Sequence, residues 1–176
     1  TSQSLLAVIS SFFAIYHGAS GLTNIARRIV AYRRYLEKVL HENGFEIKSG
    51  IRFDGVNIYS KNAVKVHKEA IKNGYNFRIL PLGSDIDDAT GFGITLDEIT
   101  DKDELLKILK LILNAVNIEF NDIKNPFENI FQLEGIPLRK DKFLQQNIFK
   151  DYRSETDLMR YIFNLAEQDF SLVDGM

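Results

Sequence analysis

The chain has 176 residues, a formal net charge of −2 and no cysteine. That charge leaves no electrostatic case for nucleic acid or an anionic membrane surface. The missing thiols exclude a disulfide scaffold, a thiolate zinc site and a cysteine nucleophile, while the apolar content and length suit one compact domain plus an extension.

The first stretch, Thr1 to Asn43, predicts two consecutive helices. Leu5, Leu6, Val8, Ile9, Phe12, Phe13, Ile15 and Tyr16 make the first apolar on nearly all sides, as in a helix buried between layers. His17-Gly18-Ala19-Ser20-Gly21 reads as a turn. Ile25, Ile29, Tyr32, Leu36, Val39 and Leu40 then recur at helical spacing as far as Gly44, a left-handed stop. A helix of roughly 20 residues spans about 30 Å, enough to cross a small sheet. Leu5 to Tyr16 falls short of the roughly 18 apolar residues of a membrane span and lacks a signal peptide's basic flank. A start without methionine inside an apolar segment, and the ending Phe170-Ser171-Leu172-Val173-Asp174-Gly175-Met176, read as the edges of a piece of a longer protein.

After Gly44 the period changes to two. Phe45-Glu46-Ile47-Lys48 alternates. Gly50-Ile51-Arg52-Phe53 and Val56-Asn57-Ile58-Tyr59 predict two short antiparallel strands joined near Asp54-Gly55. Ser60 and Asn62 are candidate caps for a helix with Ala63, Val66, Ala70 and Ile71 on its inner face, stopped at Asn73-Gly74. Tyr75 to Leu80 predicts a strand, Pro81 to Thr90 an aspartate-rich loop, and Gly91 to Leu96 another strand. Thr100 or Asp101 caps an amphipathic helix carrying Leu105, Ile108, Leu109 and Ile112, acidic early and basic later as the helix dipole favours. The fold class is therefore α+β, a small mainly antiparallel sheet with helices on one face, the long first helix and the helix after Thr100 side by side over it. From Asn114 to Asp151 the pattern weakens around Pro126 and Pro137, an extended connector with short helical turns. Ser154 and Asp157 then cap a last helix with Leu158, Ile162, Leu165 and Ala166 on its buried face. Residues 1–116 read as the α+β domain and 117–176 as the connector ending in a helix.

Candidate sites are sparse. The turn at His17 to Gly21 offers free amides that could hold a phosphate, and its plainer reading is a helix–helix turn capped by Ser20. No Lys-Ser or Lys-Thr pair follows, so it is no Walker loop. Arg27, Arg28, Arg33 and Arg34 form a basic cluster able to grip a carboxylate or phosphate, or simply a solvated or ion-paired face. Asp85, Asp87 and Asp88 lack the offsets of a calcium loop, and His17, His41 and His67 match no zinc spacing. No residue is assigned a catalytic, cofactor-binding or metal role. On the residues alone, a small-anion or protein-binding regulatory module competes with an enzyme piece.

Three blocks carry a resemblance. Thr1-Ser2-Gln3-Ser4-Leu5-Leu6-Ala7 with Tyr16-His17-Gly18-Ala19-Ser20-Gly21-Leu22 and Ile25-Ala26-Arg27-Arg28, Gly93-Ile94-Thr95-Leu96-Asp97-Glu98-Ile99-Thr100, and Tyr152-Arg153-Ser154-Glu155-Thr156-Asp157-Leu158-Met159-Arg160-Tyr161 stand in one order and spacing. Together they resemble the P-protein family of the glycine cleavage system. Ala19 stands where the family often has proline, Tyr152 where it has histidine, and Gln145-Gln146-Asn147 where it has a Thr-His-Pro string. The resemblance implies a pyridoxal-phosphate enzyme of the aspartate-aminotransferase fold. Such an enzyme decarboxylates glycine, with the cofactor as electron sink, and passes the aminomethyl group to the lipoyl arm of H-protein. It also implies two homologous halves, with the cofactor lysine in the second, downstream of Met176. This piece would then be the small domain of the first half plus the connector, architectural by itself and binding no cofactor. The parent would be a homodimer. A cytoplasmic setting is favoured, or the mitochondrial matrix for a eukaryotic source.

Overall fold

The computed structural model describes residues 3–48, 50, 52–120, 139–170 and 172. By contact the chain groups into two compact units, Thr1–Ile25 with Leu138–Met176, and Ala26–Pro137.

Helix α1 runs Ser4–Glu42 and is broken at one residue, Gly18, which leaves helical geometry at φ 56°, ψ −174°. The expected five-residue turn is thus a single kink with helix resuming at once. In the second unit the residues of α1 that recur at three and four positions are buried: Ile29, Val30, Tyr35, Leu36, Val39 and Leu40. The helix stops where Gly44 adopts φ 82°. Its amide bonds the carbonyl of His41, and that of Phe45 bonds the carbonyl of Leu40 at 3.0 Å. This pair of bonds satisfies carbonyls left over at the helix end.

The same device ends the next two helices of this unit. After α2 (Ala63–Lys72) it is made by Gly74 and Tyr75, and after α3 (Lys102–Ala115) by Asn117 and Ile118, with Asn117 at φ 60°. At the other end of α3, Asp101 accepts the Glu104 amide at 2.8 Å. Asn62 precedes α2 without a side-chain cap bond, while the Ser60 hydroxyl accepts the Asn62 amide at 3.1 Å.

The sheet has strands β1 (Glu46–Ile47), β2 (Gly55–Tyr59), β3 (Arg78–Leu80) and β4 (Gly91–Thr95), in the order β1-β2-β4-β3 and antiparallel throughout. The α+β class and the small antiparallel sheet expected from the sequence are observed. The partner of β2 is a correction: it pairs with β1 and β4, Ile47 opposite Ile58 and Ile58 opposite Phe92. Gly50, Arg52 and Phe53 are not in a strand. Alternation puts Val56, Ile58, Phe92 and Ile94 on the buried face, where α3 contributes Leu105, Leu109 and Ile112. Helix α2 packs against α3. Within α2, Ala63, Val66 and Ala70 face inward and Ile71 is exposed.

Phe92, fully buried, is the hub of the core. Its ring meets Phe45 and His67 edge-on and stacks on Phe77, at centroid distances of 6.2, 6.2 and 5.7 Å. His67 is buried beside it and donates from Nε2 to the Gly91 carbonyl at 3.1 Å, so the ring's polar edge is satisfied by the backbone of the strand it covers.

In the first unit the expectations about burial hold for Ile15, which is buried, and in part for Phe12, which is half-buried; the rest are overturned. Leu5 and Ile9 are 68% and 53% exposed, and Leu6, Val8, Phe13 and Tyr16 are exposed as well. Helix α5 (Glu155–Ala166) has no buried residue: Leu158 and Ile162 are half-buried, Leu165 and Ala166 exposed. Apolar pattern specifies a face that prefers cover, and among the described residues only part of that cover is present. The Ser154 cap holds, its hydroxyl accepting the Asp157 amide at 3.1 Å and donating to the Asp157 carboxylate at 2.6 Å. A four-residue helix α4 (Ile148–Asp151) precedes it. Residues 121–138 of the expected connector lie outside the described residues. By length and composition α1 is long and apolar enough to cross a membrane. The apolar part before the kink, Ser4 to His17, is only about 21 Å long at 1.5 Å per residue, short of the ~30 Å of a bilayer core.

Because Phe92 is fully enclosed by three rings, Phe92→Ala is expected to cost about 3–5 kcal/mol, read as a lower urea midpoint for the unfolding of residues 26–120.

Candidate functional site

The strongest phosphate candidate, the turn at His17 to Gly21, is filled by the chain itself. Gly18 is buried, and the Phe149 carbonyl oxygen and the Arg153 guanidinium lie where a Cβ on Gly18 would sit, at 2.5 and 2.7 Å. The Ser20 hydroxyl caps no helix; it accepts from Arg153 Nη2 at 3.2 Å. The His17 ring packs on Phe13 and Tyr16, 4.4 and 5.2 Å between centroids.

The four arginines do not act together. Arg33 is 4% exposed. It donates to Glu37 one turn on and, from Nε, to the Phe53 carbonyl at 3.1 Å. Arg52 reaches the other oxygen of Glu37 at 2.9 Å. Glu37 thus ties the segment after β1 to α1, and its half-buried carboxylate holds two guanidinium groups with its two oxygens. The spacing of Arg33 and Glu37 by four is a legible pair signal; Arg52 has no such signal. Arg28 donates to the Glu98 carbonyl at the turn before α3. Arg27 is exposed and Arg34 half-buried.

Asp87 pairs with Lys68 at 2.7 Å, both side chains largely exposed, and Asp85 and Asp88 are exposed. His41 is exposed in the last turn of α1, and His67 is committed to the core. Among the described residues no three His, Asp or Glu side chains gather as a metal site.

A cavity of about 750 Å³ lies between the end of α1, the start of α2 and the end of α3, lined by Glu46, Tyr59, Ser60, Lys61 and Asn62 among others. Pyridoxal phosphate is held as an imine of a lysine, with a charged partner on the ring nitrogen. Here Lys61 and Glu46 are the only lysine and carboxylate in the lining. Both are solvent-exposed, so nothing desolvates the amine or fixes a ring nitrogen. The residues do not fit the cofactor.

A further polar contact carries no signal in the sequence. Tyr75, at the end of α2, donates its hydroxyl to Glu104 of α3 at 2.7 Å. Burial, followed by the bond to Glu104 and its charge, pushes the phenol up to about 12.

The description "Glycine cleavage system P-protein" matches residues 1–112, well over half the chain. The chain belongs to the glycine cleavage P-protein family. Similar proteins named "Glycine dehydrogenase (decarboxylating)" include one from Prochlorococcus marinus (strain NATL1A), 43% identical over 176 residues. Another is from Parasynechococcus marenigrum (strain WH8102), 45% identical over 176 residues. A "Putative glycine dehydrogenase (decarboxylating), mitochondrial" from Schizosaccharomyces pombe is 36% identical over 190 residues. Each alignment covers all of this chain and 18% of the relative. The chain therefore spans about a fifth of the length of the curated P-proteins it matches, and a stand-alone regulatory module finds no support in these alignments.

A Tyr75 phenol raised in the folded state favours folding fully below its ordinary value of 10.0, and that contribution is lost as pH rises toward about 12. Tyr75→Phe is expected to flatten the fall in urea midpoint between pH 10 and 12; parallel curves for the two proteins would refute this assignment.

Proposed function

We propose that the chain is part of a glycine dehydrogenase (decarboxylating) polypeptide and serves it as an architectural piece. The single observation that carries this reading is the alignment of the entire chain to 18% of enzymes bearing that name. The fold is in keeping: a small antiparallel sheet backed by helices suits the small domain of one half of a fold-type I pyridoxal-phosphate enzyme, with residues 117–176 as the connector to the next half.

In the parent, pyridoxal phosphate supplies the electron sink for decarboxylation of glycine, and the aminomethyl group passes to lipoylated H-protein. This chain's own residues do other work. Glu37, Arg33 and Arg52 fix the segment leading into β2, and Phe92 centres the core. The exposed apolar side chains of α1 and α5 are a surface for the rest of the polypeptide and, in a homodimer, for assembly. The setting is cytoplasmic in bacteria, with the matrix as the eukaryotic counterpart.

The test is an absorbance titration of the purified chain with pyridoxal phosphate, followed by borohydride and peptide mapping. The expected outcome is no saturable new band and no single modified lysine. A saturable band fixed by borohydride to one lysine would place a cofactor site in these residues and overturn the proposal.

A further inference from the structure

We propose that the kink at Gly18 is a receptor notch for the segment Phe149–Arg153, with Arg153 as the positioning residue that clamps it. The inference goes beyond the enzyme reading and does not depend on it.

The notch exists because α1 leaves helical geometry at one residue. Gly18 sits at φ 56°, where side chains are disfavoured, and the missing side chain matters as much as the torsion. The Phe149 carbonyl oxygen stands 2.5 Å and Arg153 Nη1 2.7 Å from the position a Cβ would take. The other terminal nitrogen of Arg153 donates to Ser20, two residues beyond the kink. One guanidinium therefore spans the break in α1 while the backbone of α4 rests in it.

Aromatic contacts extend the same seam. Tyr161 meets Phe12 edge-on at 6.3 Å and stacks against Tyr152 at 4.3 Å.

These contacts have to hold what lies downstream. Helix α4 has four residues and α5 twelve, without a buried side chain in either. Helices of that length are marginal in water on their own. Their order within the first unit rests on the notch, the clamp and the aromatic seam. The two sides are more than 100 residues apart in sequence, with the whole of the second unit between them. The bond from Arg153 to Ser20 thus closes a long loop whose contents carry their own core, and the clamp can open while that core stays folded.

Hydrogen–deuterium exchange on the whole chain tests this. In the unaltered protein, amides of residues 155–166 are expected to show protection. Arg153→Ala is expected to raise their exchange roughly tenfold, and Ser20→Ala, which leaves the guanidinium in place, roughly threefold. Amides of β4 and α3 should be unchanged in both. No protection of 155–166 in the unaltered chain, unchanged exchange in Arg153→Ala, or equal acceleration in β4 and α3 would each overturn the proposal.

Discussion

Burial of Phe92 in the inner strand β4 is the constraint on which the second unit depends. The ring can be enclosed only if β2 and β3 flank β4, if the start of β1 delivers Phe45, and if α2 brings His67 over it. Each condition sets one geometric relation between elements. The bond from His67 to Gly91 then locks α2 to the backbone of the strand it covers. A polar atom enters this core only with its partner, as the cost of burying an unpaired donor requires.

Polar contacts around this core steer more than they stabilise. Glu37 draws Arg33 and Arg52 together, which fixes how the chain travels from β1 to β2 without a regular strand. Tyr75 and Glu104 stitch the exit of α2 to the first turn of α3. Neither arrangement is a chemical site: the groups are satisfied by one another, with no nucleophile or general base left aimed into a cavity. The chain belongs to the P-protein family and spans about a fifth of its relatives' length.

Local signals were read well. The stops at Gly44 and Gly74, the caps at Asp101 and Ser154, and the order of helices and strands depend on residues within one or two turns of each other. The stop at Asn117 uses the same bonds but was missed, because asparagine adopts the left-handed conformation less readily than glycine and so announces it less. Strand pairing was read less well. Gly50 to Phe53 alternates as a strand should, yet β2 pairs instead with β1 and with β4, more than 30 residues on. The cluster of four arginines dissolved for a similar reason: Arg28 reaches the Glu98 carbonyl and Arg33 the Phe53 carbonyl, each from a separate segment.

The sequence by itself determined the period of each element, the residues that start and stop the helices, the α+β class and the family, because these rest on short-range physics and on strings of residues in register. Tertiary structure decided which apolar faces are covered, which charges are paired and what occupies the bend at Gly18. The positive φ there is compatible with any tight bend. Only the chain returning after more than a hundred residues, with Phe149 and Arg153 against the bare α-carbon, shows why a side chain has no room. Contacts of that range are set by the packing of whole elements, and no local pattern encodes them.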